Sequence, residues 1–288
     1  MKKFGGVSTA LITPFQKGEV DYSSLKKLLK FQLDSGIQGF VVNGTTAESP
    51  TLTTEERVKI FKFVQGEVAG QVPVIMGTGT NSTAETVVRT QEAADLAASA
   101  ALVVVPYYNR PPQAGLLAHF KKVAENSDIP VILYNVPSRT VAKLELDTIL
   151  KLSKEEKIVG IKEATGDIHF AGKIKSGVSK EFTLLSGDDS SFAHFINAGG
   201  DGIISVGSHI FPREFVTLQA REAGSDKKFE ASLMTINNLY LEPNPIPVKM
   251  ALFLMGIIAS PEMRLPLTPM SEELIPKLKA SMVESGLL

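Results

Sequence analysis

The stretch GIKEATGD sets Lys162 directly after an apolar run, 158–161. A lysine that ends a buried run either snorkels to water or points into the interior. Alternation along an extended strand puts Ile158, Gly160 and Lys162 on one face and Ile161 with Glu163 on the other, so an inward Lys162 is not paired with its neighbouring glutamate. Burial disfavours the charged form of an amine. A neutral amine adds to a 2-oxo acid to give a Schiff base, an electron sink for a carbanion equivalent at the next carbon.

Such chemistry also moves protons, because water leaves the carbinolamine and a methyl proton comes off to give the enamine. Histidine is the usual carrier. His119, His169, His194 and His209 instead fall on helical patterns or in a late loop, without metal-ligand spacing, and read as structural residues. Hydroxyl groups are left. Of the five tyrosines, Tyr107, Tyr108 and Tyr134 lie at the ends of apolar runs. A strand-end tyrosine also serves as a packing residue with a wet hydroxyl; the conjunction with Lys162 favours chemistry.

These residues need a frame that brings distant segments together. Short β-branched runs recur eight times: VSTALI at 7–12, FVV at 40, VPVIM at 72, LVVV at 102, PVILY at 130, IVGI at 158, FTLL at 182 and GIISV at 202. Between them lie amphipathic helical patterns such as those from Tyr22, Thr53 and Thr83. Alternation of this kind requires a parallel sheet with helical crossovers. Eight units most economically close an α/β (β/α)8 barrel, expected over 1–223. From 224 to 288 the pattern is wholly helical and includes LEPNPIPVKMALFLMGIIA, which predicts a small C-terminal helical domain.

In such a barrel the chemistry sits at the C-terminal strand ends. Here those ends read NGTTAES, PYYNRPP, YNVPSRT, KEATGD and SGDDS, five polar segments expected at one mouth. The competing architecture is a doubly wound dinucleotide-binding sheet, suggested by Gly77 and Gly79 in VPVIMGTGTNSTAE. Ser82 stands at its third glycine position and Asp95 falls inside a helical pattern, so the stretch reads as a tight βα turn with a helix cap.

Composition removes other classes. At 43% hydrophobic and 21% charged residues, the 288-residue chain can bury a sizeable core. A net charge of -1 without a long basic run offers no footprint for nucleic acid or an anionic membrane. With no cysteine there is no disulfide and no thiolate nucleophile. The opening MKKFGGVSTALITPF resembles a leader for three residues, after which Ser8, Thr9, Thr13 and Pro14 interrupt any apolar core. The longest apolar stretch, MALFLMGIIA at 250–259, is short of the roughly 20 residues that span a bilayer. It predicts a core helix, and the chain is expected to be cytoplasmic.

The motifs GTTAES, PYYNRPPQ, YNVPSRT, GIKEATGD, LLSGDDS and EPNPIPVK, in this order and across essentially the whole chain, closely resemble the dihydrodipicolinate synthase family of the pyruvate-dependent class I aldolase (N-acetylneuraminate lyase) superfamily. The resemblance implies a lyase that condenses pyruvate with L-aspartate 4-semialdehyde, an early step of lysine and diaminopimelate biosynthesis, with neither metal nor organic cofactor. Lys162 would form the imine. Tyr134 would donate and accept protons over it, linked through Thr45 to Tyr108. Thr45 and Thr46 would hold the pyruvate carboxylate, Arg139 the carboxylate of the semialdehyde, and Gly187 with the main chain at Ile204 would line the pocket. Tyr107 would cross a subunit interface, in a dimer at least and a homotetramer as the usual form.

Departures from the family pattern are few. Ala47 stands where many relatives have glycine, a change expected to adjust the loop only. Ser49, Asn81, Glu85 and Tyr107 match the effector site of lysine-sensitive relatives, but Thr54 and Arg57 replace histidines often found there, which predicts weak or absent feedback by lysine. The nearest alternative is another aldolase of the superfamily, acting on sialic acid or a 2-keto-3-deoxy sugar acid. Arg139 and the paired tyrosines argue against it. A non-catalytic barrel is the remote alternative, opposed by the presence of the whole residue set.

Overall fold

The computed structural model describes residues 4–288, so the leader-like opening 1–3 lies outside the described residues. The strands are β1 (Gly6–Ala10), β2 (Phe15–Gln16), β3 (Glu19–Val20), β4 (Gly39–Val42), β5 (Val74–Gly77), β6 (Ala100–Val104), β7 (Val131–Asn135), β8 (Ile158–Glu163), β9 (Thr183–Ser186) and β10 (Gly202–Ser205). Helices follow as α1 (Tyr22–Asp34), α2 (Thr54–Val68), α3 (Thr83–Asp95), α4 (Gln113–Glu125), α5 (Pro137–Thr140), α6 (Leu146–Leu152), α7 (Ile168–Gly177), α8 (Phe192–Asn197), α9 (Pro212–Gln219), α10 (Ser225–Asn238), α11 (Ile246–Leu254) and α12 (Ile275–Glu284). The order β1-β10-β9-β8-β7-β6-β5-β4 is that of a closed barrel, and each predicted apolar run supplies one of its strands. From 224 onward the elements are helical, as the sequence pattern predicts.

By packing, the chain forms two compact units: residues 4–6 with Pro73–Ile204, and Val7–Val72 with Ser205–Leu288. In the first, β5 to β10 pair in parallel, neighbour to neighbour. One face of these strands (Val103, Val131, Leu133, Ile161, Leu184) packs in a single core with Phe120, Val123, Ile149 and Ile174 of the helices. The other face points into the barrel. Gly79 closes the GTG turn after β5, where a Cβ would lie 2.3 Å from the backbone N of Val104. The glycine is required by close packing, which accounts for the motif without a nucleotide.

One expectation is corrected here. Val131 pairs with Ile158 but Ile132 pairs with Gly160, so Val159 is an extra residue in β8. The bulge shifts the phase of everything before it. Ile158 therefore joins Ile161 in the helix-facing core, and the predicted alternation holds only from Gly160 onward.

In the second unit β1 pairs with β4 in parallel, Thr9 opposite Phe40, and β2 with β3 forms a short ribbon. Thr53 opens α2 with a reciprocal capping box to Glu56, satisfying two backbone donors at once. The stretch 250–259, expected as one core helix, is helical only to Leu254: α11 is buried over seven consecutive residues from Ile246 to Leu252, Phe253 is exposed, and the chain turns at Gly256 with φ of 65°. No helix among the described residues is long and apolar enough to cross a membrane.

Candidate active site

In the first unit the C-terminal end of β8 carries Lys162, 6% exposed. Its register partner on β7 is Tyr134, also buried, and the Lys162 Nζ lies 4.3 Å from the phenol ring centroid. The neighbouring Glu163 takes no part in holding the amine. Its oxygens accept from Asn135 Nδ2 at 2.8 Å and the Thr165 N–H at 2.6 Å, and Asn135 Oδ1 accepts from the Leu144 N–H at 2.9 Å. Burial pushes the Glu163 carboxyl above its ordinary range, against the opposing effect of those hydrogen bonds. Among the described residues Lys162 makes no ion pair. A buried amine at a strand end, held by no carboxylate among the described residues, is placed as a nucleophile toward a carbonyl would be.

Gly187, after β9, makes room for that lysine. A Cβ there would lie 2.8 Å from Lys162 Cε and 2.6 Å from Ala164 Cβ. Ile204 is buried on β10. The other polar residues after β9 serve a local turn, where Asp188 Oδ2 accepts from Ser190 Oγ and the Ser191 N–H, each at 3.0 Å.

The predicted tyrosine pair sits differently. Tyr107 is 38% exposed, and Tyr108 is 89% exposed with φ of 73°, in the left-handed region. Asn109 pins the loop through Nδ2 to the Asn81 carbonyl at 2.8 Å. The expected link between Tyr134 and Tyr108 is Thr45, and among the described residues no hydrogen bond joins the two tyrosine hydroxyls directly. Arg139 lies exposed on the one-turn helix α5, which Thr140 locks by donating to the Val136 and Ala142 carbonyls at 3.0 and 2.7 Å.

In the second unit, Thr45 and Thr46 open a single 3-10 turn, Thr45–Ala47, directly after β4. Thr45 is exposed and Thr46 buried. Asn244 Nδ2 donates to Thr46 Oγ1 at 2.9 Å, and Thr13 Oγ1 to the Ala47 carbonyl at 2.9 Å. Glu48 follows with φ of 54°. Its carboxylate accepts from Lys249 Nζ and from the Arg264 N–H at 3.0 Å, and Lys249 also donates to the Glu262 carbonyl at 3.0 Å. Lys249 and Glu48 are fully buried. Burial lowers the Lys249 ammonium to about 8, even against the attraction of Glu48. The Phe15 ring lies 4.2 Å from Lys249 Nζ and 4.4 Å from Arg264 Cζ, and Arg264 forks onto Glu56 at 2.8 and 2.6 Å.

The motif EPNPIPVK contains Asn244 and Lys249, but the sequence pattern assigns no role to these residues or to Glu48 and Arg264. The available signal was a lone lysine inside an apolar helix. Of the residues matched to an effector site, Glu85 pairs with Arg89 at 2.7 Å, Asn81 gives its carbonyl to Asn109, and Ser49 accepts from the Leu52 N–H at 3.2 Å. Arg57 is buried, and its Nη2 donates to Thr54 Oγ1 at 3.0 Å. Burial lowers His119 and His209 to about 4, so both ring systems are neutral near pH 7. Among the described residues no group of three or more His, Asp or Glu side chains is arranged to hold a metal ion.

Comparison with known proteins gives a consistent set of matches. A model of the dihydrodipicolinate synthetase family matches residues 3–285. The 4-hydroxy-tetrahydrodipicolinate synthase of Bdellovibrio bacteriovorus is 50% identical over 293 residues, covering 100% of each chain. The crystal structure of dihydrodipicolinate synthase from Thermotoga maritima superposes with a TM-score of 0.96 at 41% identity, over 99% of this chain and 100% of that one. A monomeric dihydrodipicolinate synthase variant gives a TM-score of 0.96 at 40% identity, over 99% and 98%.

Proposed function

The chain belongs to the dihydrodipicolinate synthetase family, and we propose that it condenses pyruvate with L-aspartate 4-semialdehyde through a Schiff base on Lys162. The observation that carries the reading is the buried Lys162 amine, 4.3 Å from the Tyr134 ring and without an ion-pair partner among the described residues. The relatives' shared name favours the semialdehyde over the sugar aldehydes of sialic-acid and sugar-acid aldolases.

In the mechanism, the neutral Lys162 amine adds to C2 of pyruvate and water leaves, giving the imine. Loss of a methyl proton gives the enamine, whose carbon attacks the aldehyde and turns it into a hydroxyl. The amine of the semialdehyde then displaces Lys162 at the former C2, closing the ring of 4-hydroxy-tetrahydrodipicolinate and freeing the enzyme. Tyr134 carries the protons, in a relay with Thr45 and Tyr108. Tyr108 is 89% exposed in one chain, which supports a relay completed by a second copy that buries it. We therefore propose a homotetramer built from dimers, with Tyr107 at the interface; a solution mass of one chain at assay concentration, as in the monomeric variant, combined with full activity overturns this.

Thr45 and Thr46 hold the pyruvate carboxylate. The turn's own bonds, from Ala47 N to the Gly44 carbonyl and Glu48 N to the Thr45 carbonyl, leave the N–H groups of both threonines outside them. Arg139 meets the carboxylate of the semialdehyde with a planar fork suited to it, and Gly187 and the Ile204 main chain line the pocket. Neither metal nor organic cofactor enters these steps, and we place the reaction in the cytoplasm. Incubation with pyruvate and borohydride should add a reduced pyruvate adduct to Lys162; an unmodified Lys162 peptide would sink the proposal.

Feedback by lysine is weak or absent in this reading. The residues standing where histidines often occur, Thr54 and Arg57, are bonded to each other, and that supports it. Titration with L-lysine decides, and strong inhibition at low concentration reverses the reading.

A further inference from the structure

The 3-10 turn that bears Thr46 is gripped from a distant part of the chain at two points. Asn244, just before α11, donates to Thr46 Oγ1 at 2.9 Å, and Lys249, within α11, donates to the carboxylate of Glu48 two residues further along the turn. Thr46 is 4% and Asn244 8% exposed, so water does not substitute freely for either partner. A threonine hydroxyl has one proton and two lone pairs, while an amide nitrogen only donates. The Asn244 bond therefore occupies a lone pair of Thr46 Oγ1. No acceptor among the described residues takes the Thr46 proton.

We infer that Asn244 is a positioning residue for the 2-oxo acid: by donating to Thr46 Oγ1 it turns that hydroxyl into a fixed proton donor aimed at the substrate carboxylate, with α11 as its rigid mount. The inference rests on the reading of Thr46 as a carboxylate ligand. Lys249 supplies the mount, because its pairing with Glu48 and the Glu262 carbonyl holds α11 against the turn. A preset donor is worth more to an anion than one that must first reorient. Its contact with the carboxylate exists before, during and after the chemical step, so its loss weakens binding more than turnover.

The test is steady-state kinetics on the full-length enzyme, with pyruvate varied at saturating semialdehyde. Asn244→Ala should raise the pyruvate KM about tenfold while kcat stays within about twofold and the semialdehyde KM is unchanged. Asn244→Asp has nearly the same size but accepts instead of donating, so it draws the Thr46 proton away and should raise the pyruvate KM at least as much. Adding Asn244→Ala to Thr46→Val should cost nothing beyond Thr46→Val alone. A wild-type pyruvate KM in Asn244→Asp, or a further tenfold rise on the Thr46→Val background, overturns the inference. If Asn244→Ala fails to fold, Asn244→Asp and Thr46→Val with its Asp double carry the same comparison. Borohydride trapping of pyruvate by the wild type separates the failures: no adduct refutes the Schiff-base site, whereas an adduct with unchanged KM in the variants refutes only the role of Asn244.

Discussion

Lys162 and Tyr134 are register partners on adjacent strands and meet on the barrel's inner face, the amine 4.3 Å from the ring centroid. One residue further along the same two strands, Glu163 and Asn135 are also register partners, and there the amide donates to the carboxylate at 2.8 Å on the opposite face. The strand period thus sorts two polar pairs. The outer pair satisfies a buried carboxylate with fixed donors, and the inner one leaves an amine that pairs with no carboxylate among the described residues.

That inner amine has a defined volume. In Gly187→Ala the new methyl meets Lys162 Cε at 2.8 Å and Ala164 Cβ at 2.6 Å, so the lysine must shift to admit it. Displacement of a reacting group by a fraction of an ångström to one ångström costs up to about 100-fold in rate. We expect kcat/KM to fall at least about tenfold, with slower borohydride trapping and about 1–3 kcal/mol lost from stability through overpacking. Wild-type trapping kinetics in Gly187→Ala would show that the lysine does not depend on this gap.

Tyr134→Phe keeps the ring against Lys162 and removes only the hydroxyl. Because the ring and its burial persist, stability should change by about 1 kcal/mol or less. A positioned proton carrier contributes about 10²–10⁴-fold, so kcat should fall into that range. If kcat stays within threefold of wild type, the hydroxyl is not the carrier and the ring alone matters.

The parts legible from sequence are those set by local period. The eight apolar runs correspond to the eight barrel strands, and an alternation counted from Ile158 puts Gly160 and Lys162 on one face and Ile161 with Glu163 on the other, which the register of these four residues bears out. Ile158 was misplaced because a one-residue bulge at Val159 leaves the run just as apolar. Tyr108 is exposed in a loop and has a left-handed φ, and no glycine at that position marks either feature in the sequence. Glu48 and Lys249 stand 201 residues apart, and no local pattern pairs charges over that distance.

That buried pair makes a strong prediction. Replacing a fully buried ion pair by apolar groups can be nearly neutral, but removing one member strands the other. Lys249→Met should destabilise by about 3–5 kcal/mol, since Glu48 loses its main counter-charge with no access to water. Lys249→Met with Glu48→Gln should recover a large part of the loss. Urea unfolding of the two variants checks the order, and a double variant no more stable than the single one contradicts an ionic origin.

His209 ties stability to pH. Its Nδ1 donates to the Val206 carbonyl at 2.8 Å, and Nε2 accepts from the Ile12 N–H at 3.2 Å, an arrangement that requires the neutral ring. Burial lowers the folded value to about 4 from an ordinary 6.5, outweighing the opposite pull of the Val206 carbonyl. Between those values the unfolded chain binds a proton that the folded chain refuses, so stability rises with pH across the window. The contribution is fully present above about pH 6.5 and is lost as pH falls towards 4, by about 3 kcal/mol for this residue. His119, whose value burial also lowers to about 4, acts in the same direction. His209→Gln keeps a donor and an acceptor without titrating, so its unfolding free energy should fall less between pH 7 and pH 4.5 than that of the wild type. Equal pH slopes for the two proteins would show that acid acts on other groups.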